Sequence, residues 1–61
     1  MVNDLINDGE ITGVSDLTYH EGAIQGRIAE GGMNLTTEAL SVLGELDYEI
    51  YIEGNVIRFV L

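Results

Sequence analysis

The sequence has no cysteine, no proline and no lysine. Without cysteine there is neither a disulfide framework nor a thiolate metal site, and cysteine usage leaves no mark of the redox compartment. Without proline, punctuation of the chain falls to eight glycines. Without lysine, only Arg27 and Arg58 oppose eleven acidic side chains, which gives a formal net charge of −9. Long apolar runs are missing too, since none approaches the roughly 20 residues of a membrane span. The opening Met1-Val2-Asn3-Asp4 lacks the basic stretch and apolar run of a secretory signal. These absences lead us to expect a soluble, cytoplasmic chain. At 61 residues the chain is expected to form a single small domain over 1–61, too small for a two-domain enzyme.

The charge balance also constrains partners. Non-specific affinity for nucleic acid comes mostly from Lys and Arg neutralising phosphates, so direct nucleic-acid binding is not expected. An anionic membrane surface is disfavoured for the same reason. The partner that suits such a chain is a basic protein, above all one whose surface normally receives a polyanion. Halophilic adaptation is the alternative source of the charge, because salt screens self-repulsion. Seven isoleucines and four asparagines are less typical of that adaptation.

Along the chain, the clearest pattern lies at the C-terminus. Residues 48–53 alternate with period two, Gly54-Asn55 suits a type II′ turn, and residues 56–61 follow. Folding there places Ile52 opposite Ile57, Ile50 opposite Phe59 and Tyr48 opposite Leu61 on one face. The other face then carries Glu49, Tyr51 and Glu53 opposite Val60, Arg58 and Val56. Upstream, Thr36 is a good N-cap for a helix with Thr37 and Glu38 in its first turn. Leu35 and Leu40 have the spacing of a hydrophobic staple. Ala39, Leu40, Val42, Leu43 and Leu46 predict its apolar stripe, and Asp47 closes it. A second helix is expected to start at Ser15 or Thr18, with Leu17, Ile24 and Ile28 on one face and Gly31-Gly32 as its stop. A first short helix is expected over 2–8, with Val2, Leu5 and Ile6 inward. A brief third strand is expected near 10–14. The fold class is therefore α+β: two or three short helices followed by a C-terminal two-stranded antiparallel hairpin.

This order resembles the winged helix-turn-helix arrangement. Residues 5–12 look like its first helix running into its first strand, and Gly54-Asn55 would be the wing tip. Ile24, Arg27 to Gly31, the Thr36-capped helix and Tyr48 to Ile50 also resemble the later part of Cro-type phage repressors. The resemblance implies DNA binding, with the helix before the hairpin reading bases. Here that helix and its flanks offer Thr36, Thr37, Glu38, Ser41, Glu45 and Asp47, and the wing offers Glu53. The sign is wrong for DNA. In size and charge the chain is similar instead to small DNA-mimic anti-restriction and anti-CRISPR proteins.

No residue pattern supports an enzyme. Ser15, Asp16 and His20 lack a nucleophile-elbow glycine pattern, and His20 reads as a surface histidine. Asp4 to Ile11 looks a little like an EF-hand loop, but Ile6 and Ser15 fall at two ligand positions. No metal or cofactor is expected. Asn34-Leu35-Thr36 matches a glycosylation sequon and reads as a helix start. Two acidic stretches remain. Glu45, Asp47, Glu49 and Glu53 form one, with Tyr51 as an aromatic anchor. Asp4, Asp8 and Glu10 belong to the other, which runs on to Glu21. We take these eight residues as the expected partner-binding set, and a solvated surface as the competing reading. The last strand, hydrophobic and carrying one charge, reads as a sheet edge. Edge pairing through it would make a homodimer. The expected function is a non-enzymatic inhibitor of phage or plasmid type that blocks a basic nucleic-acid-binding surface by charge mimicry. A repressor-like regulator or dimeric interaction module without direct DNA contact is the alternative.

Overall fold

A computed structural model describes residues 1–61. The chain runs through α1 (Val2–Asn7), β1 (Ile11–Thr12), β2 (Val14–His20), β3 (Ala23–Ile28), β4 (Asn34–Leu35), α2 (Thr37–Glu45), β5 (Glu49–Glu53) and β6 (Val56–Val60). β1 and β4 form a small antiparallel pair, with Ile11 opposite Leu35. The other four strands form one antiparallel sheet in the order β2-β3-β6-β5. Strand, not helix, dominates, so the winged-helix-like α+β arrangement expected from sequence is replaced by two sheets and two short helices.

The largest correction concerns residues 14–28. They form a β-hairpin, not a helix. Glu21 and Gly22 both have positive φ, at 47° and 82°. That is the signature of a type I′ turn, which matches the twist of its flanking strands. Ile24 and Ile28 are four residues apart, a spacing that fits both a helix face and a strand face. Gly26 between them decides for the strand, because period two puts it inward with both isoleucines. A Cβ on Gly26 would lie 2.6 Å from Val14 Cγ1 and 3.0 Å from Leu17 Cδ2. Glycine is there for space.

The hairpin β5–β6 has the register its alternation predicts, with Ile52 opposite Ile57, Ile50 opposite Phe59 and Tyr51 opposite Arg58. Gly54 takes φ 61°, the positive value a type II′ turn needs at its first central position. The hairpin does not stand alone, however. β6 also pairs with β3, Phe59 lying opposite Ile24 and Val56 opposite Arg27. The C-terminal strand is therefore internal, and both of its backbone edges are occupied. The expected sheet edge is not β6, so edge pairing through it has no free groups to use. The third strand expected near 10–14 is divided: Ile11–Thr12 joins β4, and Val14 begins β2.

Both helices contribute to a core on one face of the large sheet. Val2 and Leu5 of α1 and Ala39 and Leu43 of α2 cluster with Ile11, Val14, Ile24, Ile57 and Phe59. Phe59 and Ile57 are fully buried. α2 is capped as expected: the Thr36 hydroxyl accepts a hydrogen bond from the Ala39 N–H at 3.1 Å. Its apolar stripe is narrower than expected, since Leu40 and Leu46 are exposed. Leu46 is the C-cap of the helix, after which Asp47 takes φ 62°. Asp47 N–H bonds to the Gly44 carbonyl, and Tyr48 N–H to that of Leu43. This is a Schellman closure with a non-glycine residue in the left-handed position.

Candidate functional site

The other face of the large sheet has no helix over it. The register places three rows of side chains there: His20, Ala23, Val60 and Glu49; Thr18, Gln25, Arg58 and Tyr51; Ser15, Arg27, Val56 and Glu53. Both arginines of the chain thus share one open face, on the neighbouring strands β3 and β6. The sequence hides this, because the spacing of Ile24 and Ile28 fits a helix as well as a strand. The alternation of Gln25 and Arg27 with Ile24, Gly26 and Ile28 was the signal.

The face is graded in charge. Glu49 and Glu53 stand on β5, at one edge. Across the strand pair they meet Val60 and Val56, not arginine. Arg58 lies diagonal to both and makes no ion pair within 4 Å, whereas Arg27 Nε sits 3.9 Å from Asp16 Oδ2. Tyr51, between the two glutamates, is exposed and donates its hydroxyl hydrogen to Glu49 Oε1 at 2.7 Å. That hydrogen bond, and secondly the nearby Glu49 charge, hold the Tyr51 phenol above its ordinary pKa of 10.0. Gln25, Tyr51, Ile52, Glu53, Val56 and Arg58 line an open depression of about 520 Å³.

The expected partner-binding residues are divided by the structure. Glu45 is the last residue of α2 and Asp47 occupies the turn after it; both are exposed. They lead directly into Glu49, Tyr51 and Glu53, so these five residues form one continuous segment ending at the β5 edge. The other three sit apart from it. Asp4 lies in the first turn of α1, 3.6 Å from the N-terminal ammonium. Asp8 caps the C-terminal end of the same helix. Glu10 is half-buried and committed to the fold: its carbonyl accepts from Thr36 N–H at 3.0 Å, and its carboxylate accepts from the Thr36 hydroxyl. α1 is tied to the opposite sheet edge, where Asn3 Nδ2 donates to the Tyr19 hydroxyl at 2.9 Å. No hydrogen bond or ion pair joins the two stretches.

Residues 4–8 lie on a helix and its cap rather than on a cation-binding loop. No cluster of three or more His, Cys, Asp or Glu side chains is arranged to hold a metal ion. His20 is exposed at the turn beside Glu21, 3.5 Å from its carboxylate, and Ser15 stands on β2 immediately before the bulged segment, three positions before regular pairing resumes at Thr18. No helix is long and apolar enough to cross a membrane. Comparison with known proteins finds no family model that matches the chain, no similar curated protein and no similar solved structure.

Proposed function

We propose that this chain is a small, non-enzymatic protein-binding inhibitor that covers the basic, nucleic-acid-binding surface of another protein. It would belong with the acidic inhibitors that phages and plasmids direct against host defence or nucleic-acid machinery. The working residues are Glu45, Asp47, Glu49 and Glu53, with Tyr51 as the aromatic anchor among them. Carboxylates there would pair with Arg and Lys of the partner, and the net charge would steer the approach.

One observation carries this reading. Glu45, Asp47 and Glu53 are placed where stability does not ask for them, and Glu49 has only the exposed Tyr51 hydroxyl as a partner. Glu45 and Asp47 sit at the C-terminal end of α2, which has no basic residue in its last turn. The helix dipole is negative there and favours cations by about 0.3–1 kcal/mol each. Glu49 and Glu53 face valines across the strand pair although Arg58 lies two residues along β6 from each of those valines. Asp47 also occupies a backbone conformation that glycine adopts more cheaply. A surface selected only for solubility has cheaper positions available for negative charge. Carboxylates kept at unfavourable positions are those a binding partner accounts for.

The test is displacement. Basic nucleic-acid-binding proteins from the source cell are loaded on DNA-cellulose and the purified chain is passed over them. The proposal predicts release of a specific protein under conditions in which an equal charge of polyglutamate releases none. Retention of the chain itself on the DNA, or release no more selective than that by polyglutamate, contradicts it.

A further inference from the structure

The large sheet has two edges, and they are not alike. β2 is interrupted: its pairing with β3 shifts register between Ser15 and Thr18, and Asp16 there takes φ 53°. A bulge of this kind twists an edge away from further pairing. β5 has no such interruption. Its five residues pair in unbroken register with β6, and no strand lies on its other side.

The turn fixes which backbone groups are free. A two-residue hairpin makes its flanking residues, Glu53 and Val56, a hydrogen-bonded pair. Alternation then directs the N–H and C=O of Glu49, Tyr51 and Glu53 toward β6. Those of Ile50 and Ile52 point outward, and no backbone hydrogen bond elsewhere in the chain uses them. Beside them the Ile52 side chain is 57% exposed on the core face, while Glu49 and Glu53 stand on the open face.

We propose that β5 is an acceptor edge for an extended, basic segment of a partner protein, which adds to the sheet as a fifth strand. This rests on the reading that the acidic segment binds a basic protein, and it names how the binding is made. The chemistry defines the occupant. Residues opposite Glu49 and Glu53 are Lys or Arg, four positions apart. Residues opposite Ile50 and Ile52 are apolar and β-branched, extending the core face over Ile52. Main-chain hydrogen bonds supply affinity, and the alternating side chains supply selectivity. A second copy of this chain is the wrong occupant. Antiparallel self-pairing centred on Tyr51 sets Glu49 opposite Glu53 of the other copy, twice, and like charges directly opposite are destabilising. The glutamates thus guard the edge against self-association while leaving it open to a basic strand.

The test uses a capped peptide, acetyl-Lys-Val-Thr-Val-Lys-amide, which pairs antiparallel to β5 with its two valines opposite Ile50 and Ile52, so that their N–H and C=O groups meet those of the edge. It is titrated into the isotope-labelled chain at low ionic strength, with amide shifts and hydrogen exchange as readouts. The expected result is slowed exchange at the Ile50 and Ile52 amides. Binding should be lost when both peptide valines are N-methylated. The double variant Glu49→Lys, Glu53→Lys should bind this peptide at least roughly tenfold more weakly and prefer a Glu-Val-Thr-Val-Glu counterpart. Wild-type protein with N-methylated peptide needs no mutation, so that arm is independent of folding. Equal binding of the N-methylated peptide, without protection at Ile50 and Ile52, overturns the strand-addition proposal and leaves the charge-based function standing. Failure of this peptide to bind overturns strand addition as well. If polylysine also fails to bind, the proposed function fails with it. A dimer whose interface protects Ile50 and Ile52 in the absence of peptide would name a second copy as the occupant and overturn the proposal.

Discussion

Glu10 holds Thr36 at two points: its carbonyl accepts the Thr36 N–H at 3.0 Å, and its carboxylate accepts the Thr36 hydroxyl hydrogen. The same hydroxyl oxygen accepts from Ala39 N–H. One threonine therefore starts α2 and fastens it to the segment that follows α1. Thr36→Val keeps the shape and removes both side-chain bonds. It should cost about 1–2 kcal/mol, read as a lower denaturant midpoint with an unchanged slope. An unchanged midpoint would show that neither bond contributes.

Asp47 closes α2 in a left-handed conformation, at φ 62°. Glycine adopts that conformation without a Cβ penalty. Asp47→Gly should therefore stabilise the chain, by about 1 kcal/mol, and should also relieve a negative charge at the negative end of the helix. The same variant should weaken binding to a basic partner. Opposite signs in thermal unfolding and in partner affinity are expected; loss of stability would contradict the conformational argument.

How far the fold could be read from the sequence depended on whether local pattern admitted one period or two. Residues 48–53 alternate with period two before a glycine turn, and only one register puts Ile50, Ile52, Ile57 and Phe59 on one face. Thr36 stands before an apolar stripe and caps α2 as its position predicts. Residues 14–28 are ambiguous as sequence, because Ile24 and Ile28 satisfy helical and strand periods alike. The pairing that settles them is with β6, some thirty residues away along the chain. The same long-range pairing hid the site's shape. Glu45 to Glu53 was legible as an acidic run. That β5 is the edge and β6 is internal followed only from the strand order. Glu10 looked like a surface acid because its partner, Thr36, is 26 residues distant.

Gly26 is a test of the strand assignment itself. In a helix, Gly26→Ala would gain about 1 kcal/mol. In β3 the added methyl meets the stiff Val14 side chain at 2.6 Å. Overpacking of this kind costs about 1–3 kcal/mol. Chemical denaturation of the variant should show destabilisation, and a gain would refute the inward position of Gly26.

The Tyr51–Glu49 hydrogen bond gives a spectroscopic handle on the β5 edge. The phenol pKa is raised in the folded chain, first by the hydrogen bond to Glu49 and then by its charge. A raised folded value means the stabilising share is fully present below the ordinary value of 10.0 and is lost as pH rises through the folded value. In a background where Tyr19 and Tyr48 are replaced by Phe, phenolate absorbance reports Tyr51 alone. Glu49→Ala should move its midpoint down toward the ordinary value. An unmoved midpoint would mean the hydrogen bond is not populated in solution.

The central claim is that the Glu45–Glu53 carboxylates, and not negative charge in general, engage a basic partner. Its most direct test is a comparison of two charge-matched double variants in the DNA-displacement assay at low salt. Glu49→Lys with Glu53→Lys alters the β5 edge; Asp4→Lys with Asp8→Lys changes the net charge equally on α1. With both variants shown to retain the wild-type amide pattern, the first should lose selective displacement and the second should largely keep it. Equal loss in both, or retained displacement by the β5 variant, would contradict the account.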